Sequence, residues 1–294
     1  MTTISQILDK HRIPIAGEGH KHYRQGWVNI CCPFCGDETF HLGIRTDFHY
    51  GNCYKCGPKN LAEIYHRLFK CDWREAKELV TKTKKYQSFS KDTRRTGNYS
   101  PPKNRVPLCD SKKHVEYLKR RRIDIKQADQ LWKIEAIKQT TDQFRWRLFI
   151  PFYFHNEPVS WTTRAIGDVE PRYRNAKPTE EKFSAKAFLF GEDFVGDTIL
   201  IHEGPLDAIT IGPGATSTNG IQYTTQQFNR MIRYPKRYLC FDNEPLAQRR
   251  AMILCEQLKA FPGKTYNIVI DAKDINDASD RERAIVRRSV FKGK

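Results

Sequence analysis

The chain has 294 residues, enough for two or three domains, and carries 51 Lys and Arg against 34 Asp and Glu, a net charge of +17. That excess points to a polyanionic partner, nucleic acid first. No apolar run approaches the roughly eighteen residues of a membrane span, and the N-terminus has no signal-peptide pattern. The expected location is therefore cytoplasmic, with no membrane partner, and the nine cysteines read as thiols or metal ligands rather than disulfides.

Residues 4 to 12 read as a short helix with Ile4, Ile7 and Leu8 on one side. The polar stretch with His20, Lys21 and Arg24 gives little away. Trp27-Val28-Asn29-Ile30 is strand-like and leads into Cys31-Cys32-Pro33-Phe34-Cys35-Gly36. His41-Leu42-Gly43-Ile44-Arg45 is a second short strand, and Cys53-Tyr54-Lys55-Cys56-Gly57 closes the unit. Cys32 and Cys35 form one C-x-x-C and Cys53 and Cys56 another, with seventeen residues between them. Two such knuckles can set four thiolates around one tetrahedral ion, so one structural Zn²⁺ is expected. Four unrelated core thiols are the bland alternative. A redox pair fits badly, because there are two knuckles and no βαβ context. Cys31 could substitute as a ligand, but only Cys32 gives the x-x spacing. His41 and His49 read as surface residues.

Asn60 caps a predicted helix with Leu61, Ile64, Leu68 and Phe69 inward. Asp72 and Glu75 start another that carries Trp73, Ala76, Leu79 and Val80. From Thr81 the composition changes. Lys82, Lys84, Lys85, Lys91, Arg94, Arg95, Lys103 and Arg105 stand among Ser, Thr, Asn and Pro, and about residues 86 to 105 read as a flexible linker. Such a run is either a solvated segment or a track for a phosphate backbone.

A helix starts at Asp110 or Ser111 and runs to Arg122, ending in Lys119-Arg120-Arg121-Arg122, where cations complement the helix dipole. Asp124 to Trp132 reads as a further helix, Phe144 to Phe154 as strand-rich, and Pro158 to Ala165 as a strand. Arg172-Tyr173-Arg174-Asn175 follows, then Lys186 and Phe188-Leu189-Phe190-Gly191. Arg grips phosphate bidentately and Tyr stacks on a base, although an exposed loop has the same composition.

Ile199-Leu200-Ile201 is a short apolar run, as a strand buried on both faces requires. Glu203 follows at its carboxyl end, Gly204 allows a sharp turn, Pro205 fits the first helical position, and Asp207 sits one turn on. The layout repeats. Arg237 to Phe241 is a strand ending in Asp242-Asn243-Glu244-Pro245. A helix follows with Ala247, Ala251, Leu254, Leu258 and Phe261 on one face. Tyr266 to Ile270 is a strand ending in Asp271-Ala272-Lys273-Asp274-Ile275-Asn276-Asp277. A single acid at a strand end is usually a helix cap. Three acidic strand ends on one sheet edge suggest a shared hard cation, Mg²⁺ or Mn²⁺, held together with substrate phosphates.

Glu203-Gly204-Pro205-Leu206-Asp207, Asp242-Asn243-Glu244 and Lys273-Asp274-Ile275-Asn276-Asp277 resemble the three signature motifs of the Toprim domain of primases, topoisomerases and some nucleases. Thr218-Asn219-Gly220 sits where Toprim primases often turn after the second strand. The second motif departs from the commoner Asp-x-Asp followed by Ala-Gly. Here it is Asp242-x-Glu244 followed by Pro245-Leu246, and the longer Glu leaves the number of metal ions open. Asp37-Glu38-Thr39-Phe40 and the closing Cys-x-x-Cys-Gly resemble the primase zinc motif, with Cys35 where that family often has His. Arg147-Leu148-Phe149-Ile150-Pro151, Arg164-Ala165, the Arg172 tract and Lys186…Leu189-Phe190-Gly191 are similar to the tract before Toprim in bacterial-type primases.

The resemblance spans nearly the whole chain and implies a stand-alone, bacteriophage-like DNA primase without a fused helicase. The implied fold is an α/β Toprim domain, a parallel sheet with flanking helices, preceded by a mixed α+β basic subdomain and a small N-terminal Cys₄ zinc ribbon. Its bounds would be 1–85 for the zinc domain, 86–105 for the linker, 106–195 for the basic subdomain and 196–294 for the catalytic subdomain. The implied reaction is template-directed synthesis of short RNA primers from ribonucleoside triphosphates on single-stranded DNA, with a separate replicative helicase as partner and the host cytoplasm as location. Glu203, Asp242 and Glu244 would be catalytic, Glu203 as ligand or proton acceptor. Glu203, Asp207, Asp242, Glu244, Asp274 and Asp277 would face Mg²⁺. Trp27, Arg164, Arg172, Tyr173, Arg174, Asn175, Lys186 and Lys273 would hold nucleic acid or nucleotide. Two other classes compete. One is another Toprim enzyme, although a topoisomerase needs a tyrosine gate domain for which there is little room. The other is a non-enzymatic DNA-binding factor, against which the acidic strand ends argue.

Overall fold

The computed structural model describes residues 3–23, 27–45, 50–83, 97–138 and 143–291. Arg24, His49 and the basic linker residues Lys84, Lys85, Lys91, Arg94 and Arg95 lie outside them. The chain divides into two compact units, residues 1–88 with 249–267, and residues 89–248 with 268–294.

The first unit opens with α1 (Ile4–Lys10), closed by a reciprocal cap. Thr3 Oγ1 accepts from Gln6 N at 3.1 Å and Gln6 Oε1 accepts from Thr3 N at 2.8 Å. Strands β1 (Trp27–Cys32), β2 (Asp37–Arg45), β3 (Tyr50–Cys53) and β4 (Gly57–Asn60) form an antiparallel meander. Ile30 pairs with Leu42 and Leu42 with Cys53, so the buried aliphatic side chains and the cysteine knuckles belong to one register. Helices α2 (Leu61–Phe69) and α3 (Trp73–Lys82) follow, capped by Asn60 and Asp72, whose side chains each accept from the third helical N–H at 2.7 Å. Their buried face differs from the predicted one. Tyr65 is fully buried while Leu68 and Phe69 are half-buried, and Trp73 is 49% exposed with its ring stacked 4.6 Å from that of His66. A period of 3.6 identifies an apolar stripe but not its centre, and α3 turns Trp73 to the stripe's edge.

In the second unit, residues 97–105 lie against a sheet. Trp161 Nε1 donates to Ser100 O at 3.2 Å, and Ser100 N donates to Glu180 O at 3.0 Å. Strands β5 (Arg105–Pro107), β6 (Glu135–Ile137), β7 (Arg147–Phe154), β8 (Glu157–Ala165) and β9 (Tyr173–Asn175) form an antiparallel sheet in chain order. Helices α4 (Lys112–Arg120) and α5 (Ile125–Gln130) stand between β5 and β6.

A second sheet of this unit is ordered β11-β10-β12, from β10 (Thr198–His202), β11 (Ala215–Ser217) and β12 (Lys236–Leu239), while β13 (Lys264–Asn267) falls within residues 249–267 of the first unit. β10 is parallel to β11 and to β12, with Leu200 opposite Ala215 and Tyr238. Ile199, Leu200 and Ile201 are fully buried, which is what an inner parallel strand requires. The connecting helices are α6 (Pro205–Ile211), α7 (Thr225–Met231) and α8 (Pro245–Lys259), and α9 (Asp280–Phe291) closes the chain. The last strand corrects the predicted one. It occupies 264–267 rather than 266–270, and the apolar Ile268–Ile270 segment continues outside the strand with Ile270 buried. One continuous core joins Leu118, Trp132, Leu148 and Ile150 of the mixed sheet and its helices to Leu200, Leu206 and Ile209 around the parallel strands.

Candidate functional site

The four knuckle cysteines meet. Cys32 and Cys56 sulfurs lie 3.5 Å apart, Cys35 and Cys53 sulfurs 3.8 Å, and all four fall within 4.8 Å of one another. Tetrahedral Zn²⁺ with bonds of about 2.3 Å needs sulfur–sulfur edges of about 3.8 Å, so the thiols fit that ion. Burial pushes the Cys56 thiol up to about 12 and hydrogen bonding to Cys32 adds to it. Cys31 is outside the cluster. Beside it, buried Asp37 accepts from His41 N at 3.0 Å and Thr39 Oγ1 at 2.7 Å, and pairs with Lys55 Nζ at 3.1 Å. Burial alone would raise its pKa, but these donors outweigh it and hold the carboxyl well below the usual range. His41 therefore braces Asp37, with Nδ1 2.7 Å from its carboxylate. Trp27 is half-buried and covers Gly43, where a Cβ would stand 3.0 Å from the indole.

The second unit holds a cavity of about 310 Å³ at the carboxyl ends of β10 and β12. Glu203, Asp207, Asp242 and Asp274 line it. Glu203 Oε1 accepts from Asp242 N at 3.1 Å, which fixes one strand end against the other. Gly204 has an ordinary extended backbone, φ −110° and ψ 152°, so the turn does not demand glycine for its dihedrals. A Cβ there would lie 2.8 Å from Asp207 Oδ2, so a side chain at this position would have to push aside the carboxylate that accepts from Gly204 N at 3.2 Å. Asp207 is also bound by Asn276 Nδ2, and Asn276 Oδ1 accepts from Thr210 Oγ1 at 2.7 Å.

Burial, and then repulsion from Asp242, raise Glu203 to about 7. Burial followed by Asp274 and Glu244 raise Asp242 to about 6, and Asp207 is raised well above its ordinary value by burial, Asp242 and Asp274. Such a group of acids is short of positive charge. Among the described residues, however, only the thiols converge closely enough for three donors to share one ion as they stand. The donor set fits a hard cation held by one or two carboxylates with water and phosphate completing the shell. Glu244 and Asp277 are exposed and outside the cavity. Glu244 pairs with Lys273 at 3.1 Å, and Asp277 N donates to Asp274 Oδ1 at 2.9 Å.

The opposite wall comes from the antiparallel sheet. Arg164, Arg172, Tyr173 and Asn175 line the cavity. Arg164 is buried, stacks 4.7 Å over Tyr173 and donates to Tyr117 Oη at 3.3 Å. Burial raises the Tyr173 phenol to about 12, keeping it a neutral donor. Asn175 Oδ1 accepts from Thr162 Oγ1 at 2.6 Å. The fully buried Arg147 donates to the carbonyls of Pro171 at 2.7 Å, Gln143 at 3.3 Å and Arg172 at 3.4 Å, so it sets the backbone that carries Arg172. Arg174 binds Gln143 Oε1 at 2.8 Å and is not part of the lining. Lys186 also stands outside it. Its ammonium donates to Thr218 O at 3.0 Å and Gln222 O at 2.8 Å, pinning the turn that brings Asn219 and Gly220 to the cavity. The lining also includes Arg121, Thr162, Asn219 and Asn276, to which the sequence reading gave no binding role. Arg121 is the C-cap of α4 and lines the cavity, whereas Lys119, Arg120 and Arg122 do not. The strand alternation that carries Arg164 inward also signals Thr162, two residues before it on β8.

No family model matches the chain, and no curated protein matches it. Solved structures do. The zinc-binding and RNA polymerase domains of the Aquifex aeolicus primase superpose with a TM-score of 0.51 at 16% identity, over 97% of this chain and 82% of that one. The RNA polymerase domain of Mycobacterium tuberculosis primase DnaG gives 0.51 at 17% identity, over 63% of this chain and 78% of its own. A DnaG primase catalytic domain bound to single-stranded DNA gives 0.50 at 15%, over 63% and 72%. The chain thus has the fold of the zinc-binding and RNA polymerase domains of bacterial primases.

Proposed function

We propose that the protein is a DNA primase that makes short RNA primers on single-stranded DNA. The observation that carries this reading is the cavity itself. Glu203, Asp207, Asp242 and Asp274 share one recess of the second unit with Arg121 and Arg172. A triphosphate needs cations on its oxygens, and the transfer of its nucleotidyl group needs the acidic side as a seat for a metal. The domain reading goes with it, with a zinc domain at 1–85, a linker at 86–105, a basic subdomain at 106–195 and a Toprim-type catalytic subdomain at 196–294.

In this reading Asp242, with Glu244 from the rim, holds Mg²⁺ or Mn²⁺, and Asp274 and Asp277 assist. The bound ion would neutralise charge on the triphosphate. Glu203, poised near neutrality, would accept the attacking hydroxyl's proton or join the ligands. Asp207 fixes Gly204 and Asn276, and so the shape of the turn. Arg172 and Arg121 would contact phosphate, and Tyr173 and Asn175 base or sugar. Arg164 would hold the Tyr173 ring rather than substrate. Lys186 would act through the 218–222 turn, and Arg174 and Lys273 from the rim. The zinc domain with Trp27 would choose start sites. A separate replicative helicase would be the partner. Among the described residues no helix is long and apolar enough to cross a membrane.

The test is to incubate the protein with single-stranded DNA of mixed sequence, labelled ribonucleotides and Mg²⁺. Short RNA complementary to the template is the expected product. Nicking of supercoiled DNA without nucleotides would instead make it a nuclease or topoisomerase. DNA binding with no product on any template would make it a binding module.

A further inference from the structure

Trp146 occupies a conformation that bulky residues rarely adopt, with φ +54°. It is held there at both sides of its peptide unit. Its N–H donates to Lys138 O and its carbonyl accepts from Ile166 N, each at 3.1 Å. His114 lies alongside the ring. That imidazole is fully buried, bound to Ser111 Oγ at 2.7 Å and to Arg147 O at 3.1 Å, and near-parallel to the indole at 6.0 Å. Strain of this kind persists only where the surroundings over-determine it, and it concentrates at ligand clamps.

The indole lines an open groove of about 600 Å³ outside the acidic cavity. On one side α4 supplies Lys113, Lys119 and Arg120, all exposed, with Glu116 as the only acid among the described lining residues. Lys113 Nζ sits 4.1 Å from the indole centroid. On the other side are Ile166 and Val169. The groove and the acidic cavity are lined by neighbouring stretches of chain. Arg120 and Arg121 are consecutive, the first in the groove and the second in the cavity, and the segment from Ile166 runs on to Arg172 in the cavity. An aromatic face beside exposed cations is the chemistry that takes single-stranded nucleic acid, one base on the ring and flanking phosphates on the lysines.

We propose that this groove is a second binding site for single-stranded DNA, in which a base displaces Lys113 from the face of Trp146 and the strand continues past Arg120 and Arg121 into the acidic cavity. The proposal rests on the primase reading for its choice of DNA. Arg147 joins the two sites as a positioning residue, since its carbonyl holds His114 and its guanidinium holds the Arg172 backbone.

The probe is an oligo(dT) of about twelve nucleotides, within the usual span of such grooves, carrying 5-iododeoxyuridine and used with the full chain without metal or nucleotides. Trp146→Ala, and separately Lys113→Glu with Arg120→Glu, should weaken binding on the order of tenfold, while Trp146→Phe keeps most of it. Irradiation should cross-link the DNA to the peptide containing Trp146. The charge reversals lie on an exposed helix face, so they test the groove even if Trp146→Ala does not fold. Wild-type affinity in the charge-reversal variant, or cross-links confined to other peptides, would overturn the site. Failure of the primase reading looks different, with DNA bound and cross-linked at Trp146 but no RNA made from ribonucleotides and Mg²⁺. Wild-type protein that binds no single-stranded DNA overturns both.

Discussion

Glu203 and Asp242 are half-buried acids that burial and repulsion from neighbouring acids raise to about 7 and about 6 from ordinary values of 4.5 and 3.8. In the folded, metal-free protein they keep protons that the unfolded chain releases. The stability they contribute is complete below about pH 4 and is lost as pH rises through 6 to 7. His114 and His202, buried and lowered to about 4 by desolvation, have the opposite slope, gaining stability up to about pH 6.5. The readout is therefore the difference between variants. In thermal melts between pH 5 and 8, Glu203→Gln should remove part of the wild type's decline above pH 6, and Mg²⁺ should raise the wild-type Tm more at pH 8 than at pH 5. Superimposable pH profiles of wild type and variant would mean Glu203 ionises freely. Gly204→Ala tests the neighbouring backbone. Its dihedrals allow alanine, but the new methyl meets Asp207 Oδ2, so a loss of about 1–3 kcal/mol in denaturant unfolding is expected. The acids were legible at this scale because glycine, proline and carboxylate at a strand end form a local pattern. Arg121 was not, because four consecutive basic residues at a helix end satisfy the dipole equally well and nothing local in the sequence marks which of them lines the cavity.

The knuckles bring four sulfurs together from the β1–β2 and β3–β4 turns, so the ribbon's geometry and its metal depend on each other. Purified protein should hold about one zinc per chain, and Cys53→Ser should lose most of it, as measured by elemental analysis. The same variant should lose an early melting transition while the second unit's transition remains, because the parallel strands carry their own fully buried core. Zinc retained at wild-type stoichiometry in Cys53→Ser would assign the site to other ligands. The ribbon was legible since its ligands come in local pairs. Helix existence was legible from capping residues, with Asn60, Asp72 and Asp124 each found accepting at the N-terminus they were read to start. What failed was the placement of apolar residues without a strict period. Ile268 to Ile270 looks like strand, yet β13 ends at Asn267. The joining of Arg147 to the Arg172 loop spans 24 residues or more and has no local signature.

Across the whole chain a charge of +17 coexists with an acidic recess, and the two make separate demands. Binding to a polyanion draws on the cations, while the acids oppose it unless a metal neutralises them. The two contributions can be separated by charge-removing substitutions on either wall of one cavity. Each phosphate contact adds about 0.7 to the slope of log affinity against log salt for a single strand. Arg172→Ala should therefore weaken binding to single-stranded DNA and flatten that slope by about 0.7, with Arg147 still holding the loop. Asp242→Asn should do the reverse to binding, leaving the slope intact and affinity equal or slightly higher, because one repulsive charge has gone. It should also cut primer synthesis by about two orders of magnitude or more, since the carboxylate proposed to hold the metal is lost while shape is kept. Primer synthesis at near wild-type rate in Asp242→Asn would place the chemistry elsewhere. An affinity indifferent to salt would mean the basic excess is not a binding surface.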